Sequence, residues 1–192
     1  MIKVLFVCYG NICRSPLAEF IFKDLAIRAG YTVAGVNDVA CGAGASSKVM
    51  AGDKADFDIA SAATSREEIG NPIYPPSLKT LLAHGIGMPD NELGVSKKRA
   101  RQITMEDYDY YDLIIVMDQN NLRNMRRMFG NRVDTDGKVH LMLEYADRPD
   151  EEVADPWYTG GFDETWRDVI ESCRGLLREL EAGGLASCFK LC

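Results

Sequence analysis

Three side chains in this sequence are of the types that act on phosphorus when brought together: the thiol of Cys8, the guanidinium of Arg14 and the carboxyl group of Asp155. Cys8 and Arg14 bound the stretch CYGNICR, which is followed by Ser15 and Pro16. A loop of small and polar residues between a strand end and a helix start can curl until its backbone N–H groups converge on one tetrahedral oxyanion. Gly10 is the residue expected to allow the turn that others resist. Arg14 then supplies a planar fork of donors matched to two phosphate oxygens. The same positive field favours the thiolate of Cys8, and Ser15 is placed to donate a hydrogen bond to the sulfur. A cysteine and an arginine at this spacing recur by chance, and a buried cysteine is more often packing than chemistry. What separates this one is its setting, with a strand before it and Ser-Pro at a helix start after it.

Displacing an oxygen leaving group from phosphorus also calls for an acid. The two histidines, His84 and His140, lie in no obvious loop. Among the many carboxylates, Asp155 in VADPWYTGGF stands out. It precedes a proline that stiffens the turn, and two aromatics, Trp157 and Tyr158, follow that could wall a pocket. Without a phosphate loop elsewhere in the chain, an ordinary Asp-Pro turn would be the better reading.

These residues need elements to position them. Lys3 to Val7 reads as a buried strand and Pro16 to Ala29 as a helix, with Leu17, Phe20, Ile21 and Leu25 as its apolar stripe and Gly30 as its stop. A short strand follows over Phe57 to Ala63, then a helix over Pro76 to His84 with Gly85 after it. Lys98 to Ile103 reads as an extended segment or a loop. Asp112 to Met117 is a buried strand, Gln119 to Phe129 a helix, and Val139 to Leu143 a strand. An irregular stretch from Glu144 to Gly161 leads to a helix over Asp163 to Glu181, with Trp166, Val169, Ile170, Cys173, Leu176, Leu177 and Leu180 on one face. Strands alternating with helices predict an α/β fold: a doubly wound parallel sheet covered on both faces. Residues 34–56, rich in Gly, Ala, Ser and Asp, break the rhythm and read as an inserted or mobile surface loop, with a short helix around Val49 as an alternative. With no internal repeat and no dividing linker, residues 1–192 are expected to form one domain.

Composition narrows the partners. A net charge of −7 argues against nucleic acid or an anionic membrane, while leaving room for a small anion in a local positive pocket. The apolar run at the amino terminus is too short for a signal peptide, and no stretch reaches the roughly 18 apolar residues of a membrane span. A cytoplasmic location is therefore expected. There the six cysteines (Cys8, Cys13, Cys41, Cys173, Cys188 and Cys192) need form no disulfide framework, and without a CxxC pair they suggest no structural zinc.

CYGNICRSP near the amino terminus and ADPWYTG near the carboxyl end together resemble the low-molecular-weight protein tyrosine phosphatases. The likeness runs through ASAATS (Ala60 to Ser65), LLAHGI (Leu81 to Ile86), RARQIT (Arg99 to Thr104) and IIVMDQNNL (Ile114 to Leu122), in the family's order, from Met1 to about Glu181. The resemblance implies a four-stranded parallel sheet flanked by helices. It makes Cys8 the nucleophile of a cysteinyl-phosphate intermediate, Arg14 the phosphate ligand, and Asp155 the acid that then activates water. Tyr9, Gly10, Asn11, Ile12, Cys13 and Ser15 complete the phosphate loop, with Asn11 holding its shape. Ser15, Ser61 and His84 fall on a supporting network, and Cys13 matches a second cysteine that pairs reversibly with the nucleophile in relatives. Implied partners are a phosphotyrosine protein or a small aryl phosphate, with inorganic phosphate as product and inhibitor; no metal or organic cofactor is implied.

Three departures stand out. Glu67 occupies the place where the family often carries an aromatic against the substrate ring, so stacking would rest on Trp157 and Tyr9, with Tyr158 beside them. Ala63 replaces a glycine, and the 34–56 stretch is extra. Of the alternatives, a protein-arginine phosphatase resembles CTGNTCRS, with threonine where this chain has Ile12. An arsenate reductase needs two further cysteines on a mobile segment, and none lie between Cys41 and Cys173. An idle phosphate-binding module would be expected to lack Cys8 or Asp155, and both are present.

Overall fold

The computed structural model describes residues 1–36 and 55–183. The stretch expected as a surface insertion lies outside them except at its two ends, as do the alternative helix around Val49 and the cysteines Cys41, Cys188 and Cys192.

Four parallel strands, β1 (Ile2–Cys8), β2 (Phe57–Ala63), β3 (Leu113–Val116) and β4 (Val139–Leu141), form one sheet in the order β2-β1-β3-β4. Their register brings Cys8 beside Ala63, and Val7 beside Val116, which in turn pairs with Leu141. All four strands therefore end on one edge, where β1 hands the chain to the phosphate loop. The order doubles back beside β1, as ligand sites in open parallel sheets require.

The helices are α1 (Arg14–Arg28), α2 (Pro75–Ala83), α3 (Met105–Tyr110), α4 (Gln119–Phe129), α5 (Arg132–Thr135), α6 (Pro156–Thr159) and α7 (Phe162–Glu181). Side chains alternate along a strand, so β1 feeds two cores. Val4, Phe6 and Cys8 pack with α1 and α7, whereas Leu5 and Val7 meet residues of α3, α4 and α5 on the other face. That is why β1 and β3 read as unbroken apolar runs.

The strands and long helices stand close to where periodicity placed them, and the differences have local causes. The first helix begins at Arg14, two residues before Pro16, because N–H groups in a first turn have no intrahelical partner for proline to remove. The fourth strand stops at Leu141, and Met142–Ala146 forms a 3-10 turn packed on α7. There the carbonyl oxygen of Tyr145 lies 1.6 Å from where a Cβ of residue 175 would stand, a contact that Gly175 alone permits. Three short helices, α3, α5 and α6, stand where the sequence predicts none, α6 within the stretch read as irregular. Helix α3 carries a capping box in which Thr104 and Asp107 satisfy each other's backbone N–H groups. In the 98–103 segment, Gln102 makes a single parallel bridge to Ala63, covering the end of β2. Among the described residues no helix is long and apolar enough to cross a membrane.

Candidate active site

Cys8 is the last residue of β1, and its sulfur lies almost fully buried at the floor of the loop. Ser15 Oγ stands 3.1 Å from Sγ, and the Asn11 backbone N–H points to it at 3.2 Å. The backbone N–H groups of Gly10, Ile12 and Cys13 donate to no acceptor among the described residues, which leaves a nest of loop amides free for an anion. Such a nest suits a tetrahedral oxyanion.

The loop's unusual torsion belongs to Asn11, not to Gly10. Asn11 has φ 56°, a left-handed conformation that asparagine tolerates better than most residues, at a cost of about 1–3 kcal/mol. Its side chain offsets that strain. Nδ2 donates to Ser15 Oγ at 2.9 Å and to Ser61 Oγ at 2.7 Å, and Oδ1 accepts the Arg101 N–H at 3.2 Å. At Gly10 the constraint is one of space: a Cβ there would approach Glu68 Cγ to 3.1 Å, so that side chain would have to shift by a few tenths of an ångström. Ile12 packs with Cys13, Ala100 and Tyr74.

Arg14 is buried, and two aspartates converge on it. Nη1 donates to Asp118 Oδ2 at 2.6 Å and to the Val153 carbonyl at 3.0 Å, while Nη2 donates to Asp155 Oδ2 at 2.6 Å. Both aspartates are helix N-caps. The other oxygen of Asp118 accepts the Asn121 N–H of α4 at 2.6 Å, and that of Asp155 accepts the Trp157 N–H of α6 at 3.1 Å. Each carboxylate thus has one oxygen fixed by its own helix and one turned to the guanidinium. Burial opposes the charge of Arg14, but the surrounding anions at Cys8, Asp118 and Asp155 outweigh it, raising its pKa above the ordinary arginine value.

Further from the sulfur, Ser61 Oγ donates to Glu19 Oε2 at 2.6 Å, and Glu19 is ion-paired to both Lys23 and Lys98. Burial works against the Glu19 carboxylate, yet the two ammonium groups hold its pKa below the usual range. Burial pushes the Cys13 thiol the other way, up to about 12.

The expected residues therefore divide. Cys8, Asn11, Ser15 and Ser61 come together in one hydrogen-bonded network, and Arg14 and Asp155 form a second with Asp118. His84 does not join it: at the C-cap of α2 its exposed ring stacks on Trp166, with centroids 3.8 Å apart and planes 4° from parallel. At the mouth, the Tyr9 hydroxyl donates to Glu67 Oε1 at 2.6 Å, a bond that raises its pKa, and Tyr158 stands exposed. Trp157, 53% exposed, leans on Tyr74 with ring centroids 4.9 Å apart. Sequence reasoning missed Asp118, Glu19, Lys98 and Tyr74. Asp118 carried a signal, since it follows the apolar run of β3 at the edge where strands deliver ligand-binding groups. So did Glu19 and Lys23, an i, i+4 pair on an otherwise apolar helix.

Residues 3–56 and 48–184 match the family model described as low molecular weight phosphotyrosine protein phosphatase. The chain is 36% identical over 182 residues to the low molecular weight protein-tyrosine-phosphatase YfkJ of Bacillus subtilis, covering 94% of this chain and 97% of that protein. The crystal structure of YfkJ aligns with a TM-score of 0.72 over 95% of this chain and 96% of that one. A rat low molecular weight phosphotyrosine protein phosphatase is 32% identical over 92% of this chain and 94% of its own. The crystal structure of SP-PTP, a low molecular weight protein tyrosine phosphatase from Streptococcus pyogenes, aligns with a TM-score of 0.66 at 34% identity, covering 94% and 93% of the two chains.

Proposed function

The chain belongs to the low molecular weight phosphotyrosine protein phosphatase family, and from that premise we propose that it hydrolyses phosphotyrosine at Cys8, with Arg14 and Asp155 as its partners. The observation that carries this assignment is the 2.6 Å contact between Arg14 and Asp155, which joins the phosphate loop to a loop 141 positions away in the chain. The Cys8 thiolate attacks phosphorus, the bond from phosphorus to the tyrosine oxygen breaks, and protonated Asp155 gives its proton to the departing phenolate. Asp155, now a carboxylate, takes a proton from water as that water attacks the cysteinyl-phosphate. The S–P bond breaks, inorganic phosphate leaves, and the thiolate is restored. Amide donors of the loop and the Arg14 fork stabilise the charge on the transferring group. A phosphate group competes with Asp155 for Arg14 Nη2, so binding turns Oδ2 of Asp155 from the guanidinium towards the leaving oxygen.

Aromatic substrate is favoured by the apolar wall of Trp157 and Tyr74, with Tyr9 opposite Glu67 at the mouth. Ile12 in the loop supports an aryl ester over phosphoarginine. The chain is further proposed to act as one cytoplasmic domain, with Cys13 as the partner that traps oxidised Cys8. Steady-state kinetics on matched phosphotyrosine and phosphoarginine peptides test the substrate. Turnover of the phosphotyrosine series is expected, and a higher kcat/KM on phosphoarginine would overturn the tyrosine assignment while leaving the cysteine mechanism standing.

A further inference from the structure

Helix α4 carries three arginines and no acidic residue, on a chain whose net charge is −7, and it starts beside the phosphate site. We propose that Arg123 and Arg127 form a docking surface for acidic side chains of the protein substrate, about two to four residues from its phosphotyrosine. This rests on a phosphotyrosine protein as the substrate.

The helix is tied to the site at two points. Its N-cap, Asp118, accepts from Arg14 at 2.6 Å. Further along, Asn124 Nδ2 donates to Thr64 Oγ1 at 3.3 Å, and the Thr64 N–H donates to the carbonyl of Cys8 at 2.9 Å. Asn120, Arg123, Asn124 and Arg127 follow the i, i+3, i+4 and i+7 spacing of one helix face, while Leu122, Met125 and Phe129 turn to the core. Both arginines are exposed, and among the described residues each guanidinium meets a neutral acceptor and no carboxylate: Arg123 the side-chain oxygen of Asn120, Arg127 that of Asn124 at 3.4 Å. Neighbouring carboxylates are engaged elsewhere. Asp118 and Glu152 accept N–H groups of the first turn, and Asp134 pairs with Arg126. On the loop after Thr64, Glu67 takes the Tyr9 hydroxyl and Glu68 the Asn71 amide.

Helix stability does not account for this strip. Cations in a last turn offset the helix dipole, which gives Arg126 and Arg127 a structural reason but leaves Arg123, at mid-helix, without one. A rise of about 1.5 Å per residue puts Arg123 roughly 7 Å and Arg127 roughly 13 Å along the axis from Asp118. An extended peptide anchored at the phosphate loop covers those distances in about two to four residues. There the guanidinium fork suits a carboxylate, and on an acidic protein a local positive strip decides where an acidic segment can lie.

Phosphotyrosine peptides of one sequence, with Glu or Ala at the second to fourth positions on one side or the other, read the surface through kcat/KM. Wild type should prefer Glu on one side by about three- to ten-fold, mostly in KM, and the preference should vanish near 1 M salt. The double variant Arg123→Gln, Arg127→Gln should lose it, while kcat/KM for phenyl phosphate, which has no flanks, stays within about two-fold. Arg126→Gln, whose guanidinium is already paired, should keep it. Equal rates on Glu and Ala peptides in wild type would overturn the proposal, as would a preference that survives in the double variant. Equal loss in Arg126→Gln would assign the effect to net charge and overturn it too. Should phosphatidylserine vesicles sediment the wild type and not the double variant, with the peptides undistinguished, the strip belongs to a lipid surface and the proposal falls. Failure of the phosphotyrosine reading would appear separately, as higher kcat/KM on matched phosphoarginine peptides whatever their flanks.

Discussion

The phosphate loop and the loop that carries Asp155 meet at one guanidinium, yet they are built on opposite plans. Cys8, Asn11, Arg14, Ser15 and Ser61 are all buried; Cys8, Asn11, Ser15 and Ser61 are tied to one another by hydrogen bonds, and Arg14 is held by Asp118 and the Val153 carbonyl. Across the guanidinium, the Asp155 side chain is 26% exposed and sits on a helix of four residues, with Trp157 and Tyr158 turned largely to solvent. One loop is a cradle over-determined by the core, able to hold a left-handed asparagine. The other is a rim held by a cap, a proline and one ion pair. A cradle must match a phosphate group that is the same in every substrate, whereas a rim meets leaving groups that differ. Damage to the cradle should cost stability and activity together, and damage to the rim should depend on the substrate.

The largest effect tests the cradle's reactive atom. Cys8→Ser should fall below about a hundredth of wild-type turnover of an aryl phosphate, a loss exceeding ~3 kcal/mol, while still binding phosphate through the amides and Arg14. Turnover above that level would remove the thiol from the mechanism. Next is the cradle's support. Glu19→Gln leaves two buried ammonium groups without their carboxylate and should cost about 3–5 kcal/mol in chemical unfolding at neutral pH. Because the folded-state pKa of Glu19 is depressed, the stability it contributes is present above the unfolded value of about 4.3 and is lost as pH falls through the folded value. Glu19→Gln should accordingly flatten the acid side of the wild-type stability curve. A parallel curve would mean that other carboxylates govern acid unfolding.

At the rim the effect should be selective. Asp155→Asn should slow phenyl phosphate or a phosphotyrosine peptide about 10²-fold more than an activated aryl phosphate, whose leaving group departs without a proton. Uniform slowing, with a lower melting temperature, would reduce Asp155 to a turn residue. Oxidation probes the seam between the loops. Peroxide should inactivate the enzyme and thiol reductant restore it, with recovery less complete in Cys13→Ser, where no neighbour traps the sulfenic acid. With its thiol pushed up to about 12, Cys13 should itself resist peroxide, and modification of Cys13 ahead of Cys8 would reverse these roles. The smallest effect is expected from Trp157→Ala: KM for aryl phosphates should rise by roughly three- to ten-fold, about 1 kcal/mol, with inhibition by inorganic phosphate nearly unchanged. Parallel loss of phosphate inhibition would place Trp157 in the cradle.

The division between cradle and rim also marks what could be read in advance. The alternation of apolar runs was enough for the parallel sheet and its two helical layers, because a strand buried on both faces must be apolar throughout. Cys8, Arg14 and Ser15 were legible because they are neighbours in the chain, joined by a short loop that bends between a strand and a helix. Asp155 was legible by motif, though its partner on Arg14 was not. Tertiary structure decided the rest. It put Asp118 on Arg14 opposite Asp155, left His84 stacked on Trp166, and closed the network behind Asn11 with Glu19 and Lys98. It also gave the left-handed torsion to Asn11, where glycine at the preceding position had seemed the natural bearer. Periodicity reports which face of an element is buried, and motifs report which residues adjoin in the chain. Neither reports which charged side chains from separate elements will share one buried site, because that choice is made by the register of packed helices and by the requirement that each buried charge find a partner.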